Sequence, residues 1–546
     1  ERPLLRYRMD PSADLAAALP MNDSGTDGDR VAGDGIFTAV IPGAPARAMA
    51  AFHVTLGREG SEFRVPRLSP GREALVRWGE TQPAGNLGTY RIWITRATES
   101  RWSSRPRLHN GDLDATFVYG STRAVYGLGT LYSGSPFVSP GYNGPAGSTL
   151  CGYVLHFPED EPFLGEQDFV MDWPTRDETR QLEQRAHEFA AEIGLPHLHR
   201  RFVHLFVNST RRGAIYEDTQ QPGSAYLRNW SPDDDDGNLH KIEDWFEFTS
   251  GGEREFNDDA RLEDFRRSDG SRNLARYRWN FRPRAVQESA HDFEALFRLV
   301  DAAVQPSYLL EFQQELEAEV DFEGWAGVFA VEHAVGNWDS FGYSRGKNMY
   351  AYRPQRGPWR LFMWDIDFVM SAGGDSPGVW PFATIDPTLS QLYQYPPFQR
   401  AYWRAVKKLV NGPMAPDRFA ARTDAVRLGL QENGVVAAST AAARTYVQNQ
   451  RTSLLNQLGN VDRPFSVETG LPSGNNTTSP VLVLQGQGPI EMAAIQVNGA
   501  LVPVRWIQPD RWLAPLPLQP GRNPLAVLHA DAGMATDRER CATRRQ

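Results

Sequence analysis

Alternating apolar and polar residues predict short β-strands at both ends of the chain. Near the start, the runs LLRYRM and GIFTAVIP follow this two-residue period. Near the end, Asn-Gly, Pro-Asp and Pro-Gly turns separate PVLVLQG, AAIQVNGALVPVRWI, RWLAPLPL and NPLAVLHAD. We therefore predict a small β domain over residues 1–66 and an immunoglobulin-like β domain over residues 463–546.

The middle of the chain, residues 67–462, mixes both periodicities. Strands are predicted at ALVRW, TYRIWIT, ATFVYG and RFVHLFVN. Apolar residues at helical spacing predict helices at DETRQLEQRAHEFAAEIG, HDFEALFRLVDAAV, FEGWAGVFAVEHAVG and PPFQRAYWRAVKKLVNG. The predicted fold class is α+β.

Four polar residues are unexpected in a stretch rich in large aromatic residues. The segment GNWDSFGYSRGKNMYAYRPQRGPWRLFMWDIDF contains Asp339, Asn348, Asp365 and Asp367. Buried carboxylates are costly unless they are paired or bind a metal. We predict a helix that runs into a loop carrying Asp339, followed by a hairpin turned at PQRGP. The two-residue period then places Asp365 and Asp367 on one face of the second strand.

Such a set of oxygen ligands suits Mg²⁺ or Mn²⁺. Its order along the chain also matches phosphoryl transfer by protein kinases, in which an Asp accepts the hydroxyl proton and an Asn and a later Asp hold the metal. The usual kinase motifs His-Arg-Asp and Asp-Phe-Gly are absent from the sequence. A structural alternative stays open, in which NWD caps a helix and the strand acids pair with arginines.

Composition and charge exclude several other classes of protein. The 546 residues are enough for two to four globular domains, and the net charge of −10 argues against nonspecific nucleic-acid binding. No window approaches the roughly 20 apolar residues of a membrane span, and the start, ERPLLRYRMD, lacks the apolar core of a signal peptide, which leaves a removed signal as an open alternative. The commonest P-loop, serine-hydrolase and zinc-protease signatures are also absent.

Three smaller features leave their alternatives open. The loop NDSGTDGDRVAGDG, over residues 22–35, could bind Ca²⁺ or could be a plain solvated turn. Cys151 and Cys541 match no metal spacing and could form a disulfide or be two buried thiols. The chain has only four lysines, Lys241, Lys347, Lys407 and Lys408, so a lysine kept among many arginines is mildly informative.

The segments GNWDSFGYSRGKNMYAYRP and WRLFMWDIDF closely resemble the signature of the CotH family, the spore-coat-protein-H-like atypical kinases. RFVHLFVNSTRRGAIYEDTQQPGSAYL and GNLHKIEDWFEF resemble further segments of that family. The resemblance implies a two-lobed kinase-like core, ATP with Mg²⁺ or Mn²⁺ as cofactors, and a protein substrate carrying Ser or Thr.

The resemblance also implies a role for each matching residue. Asp339 would be the catalytic aspartate, and Asn348 and Asp365 would be metal ligands. Asp367 would be a second-sphere or additional metal group. Lys241 would contact the ATP phosphates, and Glu217 would be its partner or a metal group, although a surface acid is an alternative for Glu217.

One departure from the family bears on activity. The family commonly has basic residues in its glycine-containing N-lobe segment, whereas residues 124–175 contain no Lys or Arg. An active kinase is therefore weighed against a catalytically silent surface or adhesion protein that binds a protein or a polysaccharide. A metal-dependent hydrolase is less favoured, because no histidine accompanies the acids. The β domains, together with the location that is usual for the family that the chain resembles, predict a secreted or cell-surface location.

Overall fold

The structure is a computed structural model. It describes residues 2–57, 63–66, 72–105, 109, 111–134, 144–174, 176–248, 254–285, 289–306, 310–378, 382, 384–468 and 477–531. Cys151 is buried, and Cys541 lies outside these residues, so both alternatives, a disulfide and two buried thiols, stay open.

The chain begins with an antiparallel sheet. Its strands are β1 (Leu4–Met9), β2 (Ala17–Pro20), β3 (Met49–Leu56), β4 (Phe63–Val65) and β5 (Ala74–Arg77). The order is β2-β1-β3-β4, and β5 also pairs with β3, so this sheet continues past residue 66. The strand predicted at GIFTAVIP is wrong. Only Thr38 forms a bridge there, to Asn22, while Ile36 and Val40 are exposed, and Ala39 and Ile41 pack against the core of the first sheet without forming a strand.

Seven strands then form a closed barrel. They are β6 (Gly88–Trp93), β7 (Leu113–Tyr119), β8 (Arg123–Ser133), β9 (Gly152–His156), β10 (Asp168–Asp172), β11 (Arg200–Val207) and β12 (Thr210–Gln220). Neighbouring strands are antiparallel except β11 and β6. Aromatic side chains such as Tyr90, Phe117 and Phe163 fill the interior. Three helices lie between these strands or directly after them along the chain: α1 (Arg96–Ser104), α2 (Leu182–Glu192) and α3 (Ser224–Trp230).

The following part combines a smaller sheet with most of the helices. Its strands are β13 (Asn238–Ile242), β14 (Trp245–Phe248), β15 (Arg254–Asp258), β16 (Phe281–Ala285), β17 (Met349–Arg353) and β18 (Arg360–Met363). Four of them pair in the order β16-β13-β17-β18, and β14 pairs with β15. The helices are α4 (Leu274–Asn280), α5 (Glu294–Ala303), α6 (Leu310–Glu319), α7 (Phe322–Val335), α8 (Pro387–Gln394), α9 (Pro396–Asn411), α10 (Pro416–Glu432) and α11 (Ala441–Val461).

Helix α7 is the centre of this helical part. Every residue from Trp325 to Val335 is buried, and α9, α2, α11 and β18 all pack against it. Asp321 caps its start by accepting a hydrogen bond from the Gly324 backbone N–H at 3.0 Å. A helix that is buried on every side lies in the middle of a core, and α7 therefore carries the loop that follows it on a rigid support.

The chain ends in a small all-β module. Its strands are β19 (Val481–Gln487), β20 (Met492–Val497), β21 (Ala500–Pro503), β22 (Arg505–Trp506), β23 (Arg511–Pro517) and β24 (Val527–Asp531). They form two three-stranded sheets, β19-β23-β22 and β21-β20-β24, around a core that includes Leu484 and Trp512. The immunoglobulin-like topology and the three domain boundaries stay predictions.

Helices and sheets together confirm the α+β class. The helices predicted from apolar spacing correspond to α2, α5, α7 and α9, and the hairpin predicted around PQRGP corresponds to β17 and β18. Among the described residues, no helix has both the length and the apolar character needed to cross a bilayer.

Candidate active site

Helix α7 and three strands of the smaller sheet bring the predicted polar side chains to one place. Asp339 follows α7, Asn348 directly precedes β17, and Asp365 lies two residues after β18. Because β17 and β18 are paired and antiparallel, the start of one lies beside the end of the other. Lys241 lies in the neighbouring strand β13, opposite Tyr350 of β17. These four predicted residues are therefore brought to one edge of this sheet.

The end of α7 fixes the direction in which the loop leaves. Gly336 has a φ of +78°, and a Cβ at this position would lie 2.3 Å from the Tyr446 hydroxyl oxygen, so both backbone and space require glycine. The next residue, Asn337, donates its side-chain amide to Glu332 Oε2 at 2.6 Å. Its backbone N–H also donates to the Glu332 carbonyl oxygen at 2.9 Å.

Asp339 is 5% exposed and has two partners on one carboxylate oxygen. Lys347 Nζ lies 3.2 Å from Asp339 Oδ2, and Asn348 Nδ2 donates to the same oxygen at 3.2 Å. Burial raises the pKa of Asp339 above its usual range, and the Lys347 ammonium opposes this effect. No described residue donates a hydrogen bond to Oδ1, which leaves this oxygen for a hydroxyl group.

Glu332 is a second buried carboxyl group beneath this loop. It is 1% exposed, and its Oε1 has no hydrogen-bond partner among the described residues. Burial raises the pKa of Glu332 to about 8. The side chain is therefore largely protonated near neutral pH, and it supports Asn337 without adding a full negative charge below Asp339.

The strand that was predicted to carry the two further acids ends early. β18 stops at Met363, and Asp365 adopts a left-handed backbone with a φ of +54°. The prediction that Asp365 and Asp367 lie on one face of a strand is therefore wrong, because the chain turns before reaching them. Ile366 is fully buried and anchors this turn, while Asp365 is exposed.

Asp365 has the properties of a cation ligand. No described residue donates a hydrogen bond to its carboxylate. Although Asp365 is exposed, the surrounding protein displaces part of the water near its carboxylate, and this effect and the negative charge of Asp172 raise its pKa, whereas Lys241 and Lys347 lower it. The side-chain nitrogen of Asn348 is already bound to Asp339, so its amide oxygen is the atom left for a ligand. Carboxylate and amide oxygens are the donors that Mg²⁺ and Mn²⁺ prefer.

Asp367 is paired with an arginine, as the structural alternative expected. Arg176 Nε donates to Asp367 Oδ2 at 3.0 Å, and the guanidinium lies 4.0 Å from the centre of the Phe368 ring. Burial, followed by the negative charge of Asp365, raises the pKa of Asp367 to about 7. Asp367 therefore joins the segment after β18 to the chain just before α2.

Lys241 is paired with Glu243, which the sequence analysis did not single out. The ammonium lies 2.5 Å from Glu243 Oε2 and 5.8 Å from the centre of the Trp364 ring. Burial lowers the pKa of Lys241, but the Glu243 carboxylate more than offsets this and raises it above its usual value. Lys241 is therefore charged at the same sheet edge as Asp365.

Glu217 is not the partner of Lys241 in the structure. It is 1% exposed and accepts a hydrogen bond at 2.5 Å from Nε of Arg200, a residue that Glu183 and Asp172 also bind. This geometry is also not that of a surface acid. Glu217 belongs to a buried network in the barrel, and this network ends at Asp172, whose charge acts on Asp365.

The sequence analysis missed four residues of this site: Asp172, Arg176, Glu243 and Lys347. Two of them had a signal. Glu243 lies two residues after Lys241 in an extended segment, which predicts the same face, and Lys347 is one of only four lysines. Asp172 and Arg176 had no such signal in the sequence, because they reach the site only through the packing of the barrel against the helical part.

The segment without basic residues contributes β9, β10 and part of β8 to the barrel, while residues 135–143 and 175 lie outside the described structure. Arg212 is buried against this segment, donating to the Tyr153 hydroxyl at 2.9 Å and to the Thr149 carbonyl oxygen at 2.6 Å. These bonds give Arg212 a structural role in the barrel. It does not replace the missing cations at the site.

The acidic loop near the start brings three carboxylates together. Oxygen atoms of Asp23, Asp29 and Asp34 lie within 4.8 Å of one another. Loop amides already donate to these groups, since Asp23 accepts from the Gly33 backbone at 2.7 Å and Asp29 accepts from the Gly25 backbone at 2.6 Å. Such bonds are also those of a solvated turn, and Ca²⁺ in this loop stays a prediction.

A β-rich part and a helical part that meet at clustered carboxylates and lysines define a kinase-like α+β protein. The family model described as CotH kinase protein matches residues 153–449. This range is more than half of the 546 residues, and the chain belongs to the CotH kinase family. It includes every residue that the sequence analysis proposed for the site. A search among curated proteins found no match.

Proposed function

We propose that this chain transfers the terminal phosphoryl group of ATP to Ser or Thr hydroxyl groups of a protein, with Mg²⁺ or Mn²⁺ as cofactor. Membership in the CotH kinase family supports phosphoryl transfer as the reaction. The observation that carries the proposal is the convergence of Asp339, Asn348 and Asp365 at one sheet edge, with Asp365 accepting no hydrogen bond from the described residues.

Each side chain has a defined part in this proposal. Asp339 Oδ1 accepts the proton of the attacking hydroxyl group, while Lys347 and Asn348 hold the other carboxylate oxygen in place. Asn348 and Asp365 hold the cation with their oxygen atoms. A bound divalent cation supplies positive charge to the phosphate oxygens.

Lys241 contacts the phosphates, and Glu243 holds its ammonium in position. Glu217 acts indirectly. It binds Arg200, Arg200 also binds Asp172, and this network places Asp172 near Asp365. Asp367 is a second-sphere group through Arg176. We also propose a secreted or cell-surface location, so the protein substrate would be met outside the cell.

The second candidate is a catalytically silent surface protein that binds a protein or a polysaccharide. The absence of Lys and Arg from residues 124–175 favours it, because an ATP triphosphate needs several cations around it. Binding of ATP separates the two candidates before any substrate is known.

Isothermal titration of ATP with Mg²⁺ into the wild-type protein and into Asp365→Asn tests the proposal. We expect the wild type to bind and the variant to bind at least about tenfold more weakly, because a neutral amide is a poorer ligand for a hard cation. Asp424→Asn is the matched control, since Asp424 pairs with Arg444 on outer helices.

Two results would contradict the proposal. Unchanged binding in Asp365→Asn would assign this carboxylate a structural role. Absence of ATP binding by the wild type, together with no autophosphorylation from labelled ATP, would favour the silent surface protein.

A further inference from the structure

Arg176 lies directly beside the proposed nucleotide site, and its backbone is fixed by the next residue. Asp177 is 7% exposed, and its carboxylate accepts backbone hydrogen bonds from Thr179 at 2.8 Å, Gln181 at 2.7 Å and Leu182 at 2.8 Å. These bonds cap the approach to α2. The chain at Arg176 is therefore held on the barrel side of the site.

The Arg176 side chain is held from two directions. Nε donates to Asp367 at 3.0 Å, and the flat guanidinium lies on the Phe368 ring at 4.0 Å. Phe368 in turn packs against Trp338, with ring centres 4.7 Å apart, and Trp338 directly precedes Asp339. The guanidinium is thus tied both to the turn that carries Asp365 and to the loop that carries Asp339.

The two terminal nitrogens of Arg176 remain available. Among the described residues, Nη1 and Nη2 make no hydrogen bond, and the side chain is 41% exposed. Because Nε is held by the Asp367 carboxylate, Nη1 and Nη2 form the other side of the planar guanidinium and can donate two parallel hydrogen bonds, like the two prongs of a fork. Such a fork matches two oxygens of one phosphate group.

Few basic residues surround the phosphate position that we propose. Lys241 and Lys347 are already paired with Glu243 and Asp339. The preceding 52 residues, 124–175, contain no Lys or Arg, and Arg176 is the first basic residue after them.

We propose that the Arg176 guanidinium binds phosphate oxygens of the nucleotide, with Asp367 and Phe368 holding it in position. This inference rests on the proposed function, because it concerns the same nucleotide site. It gives Asp367 a specific task, which is to orient Arg176, and it supplies a cation from the chain just before α2.

Titration of Arg176→Gln with ATP and with adenosine, both with Mg²⁺, tests this inference. We expect ATP to bind about tenfold or more weakly than to the wild type, because a charge-assisted contact is lost. Adenosine has no phosphate, so its affinity should change by less than about twofold. Arg176→Lys keeps the charge without the fork and should fall between the two.

Arg422→Gln is the matched control, because the exposed Arg422 of α10 also pairs with a carboxylate, that of Glu188. Asp367→Asn should weaken ATP binding as well, and the double variant with Arg176→Gln should bind no more weakly than Arg176→Gln alone. Wild-type ATP affinity in Arg176→Gln, or equal losses for ATP and adenosine, would overturn the inference while leaving the proposed function intact. No ATP binding by the wild type would overturn both.

Discussion

Asn348 and Asp365 both have left-handed backbone conformations, with φ of +59° and +54°. Asn and Asp tolerate this region better than most residues, yet it remains sparsely populated and is often found at functional sites. In each residue the turn separates the side chain from the regular strand beside it. The backbone therefore positions both proposed cation ligands outside the sheet, where their oxygens are not used by strand neighbours.

At Asp339, binding can be separated from chemistry. Asp339→Asn keeps the size of the side chain but cannot accept a proton, so we expect turnover to fall by about a hundredfold or more. ATP affinity should hardly change, because Asp339 acts on the acceptor hydroxyl group. Autophosphorylation rates and ATP titrations of the same preparations measure both quantities.

Asn337→Ala is a useful comparison, because it removes the contacts with Glu332 and with the Asp339 backbone N–H but leaves the Asp339 carboxylate in the protein. It should reduce turnover less than Asp339→Asn does. Normal phosphorylation by Asp339→Asn would mean that Asp339 has only a structural role in its loop, and the kinase proposal would lose its central residue.

At the scale of single elements, the sequence predicted the strands and helices near the site well. Apolar spacing identified α7, and the aromatic runs around PQRGP identified β17 and β18. It failed at the end of β18, because the alternation of Trp364, Asp365, Ile366 and Asp367 looks like a strand. The buried Ile366 belongs instead to a turn, and only the packing of that turn decides where the strand stops.

Strand β13 places Lys241 two residues before Glu243, and the two charges stabilise each other. Burial alone would raise the pKa of Glu243, but the Lys241 ammonium lowers it below its usual value. A lowered carboxylate pKa stabilises the folded state above the pKa of the unfolded chain, about 4.3. This stabilisation is lost as the pH falls through the lower pKa of the folded protein.

Lys241→Met should therefore lower the free energy of unfolding by about 1 to 3 kcal/mol near neutral pH, because Glu243 is left charged without its partner. The deficit should shrink as the pH falls from about 7 to about 4, because burial raises the pKa of the unpaired Glu243 in the variant, which therefore takes up a proton at a higher pH than in the wild type. Melting temperatures of wild type and variant across this pH range measure the effect.

Lys408→Met, at an exposed position of α9, is the control and should change little at any pH. Adding Glu243→Gln to Lys241→Met should recover most of the lost stability. A deficit that stays constant down to the most acidic pH would show that the lysine stem, and not its charge, stabilises the protein.

At the scale of the whole molecule, the sequence predicted β modules at both ends but not how the last one is attached. Arg400 of α9 is 1% exposed and donates to carbonyl oxygens of Pro509 at 2.5 Å, Pro489 at 2.7 Å and Met492 at 2.8 Å. Its guanidinium also lies 3.2 Å from the centre of the Trp506 ring. Arginine is so abundant in this chain that no sequence pattern distinguishes Arg400 from surface residues.

Because α9 packs against α7, the C-terminal module is connected through Arg400 to the helix that supports the Asp339 loop. Arg400→Met would leave three carbonyl oxygens without their donor, which costs about 3 kcal/mol or more in total. We expect scanning calorimetry to show the C-terminal module melting about 6 °C or more below its wild-type temperature, as a separate transition.

Arg418→Met removes an exposed arginine that pairs with Glu192, and it should leave the profile nearly unchanged. A single transition at the wild-type temperature in Arg400→Met would mean that other contacts, such as those of Lys407 with Asp462 and Glu491, hold the module in place.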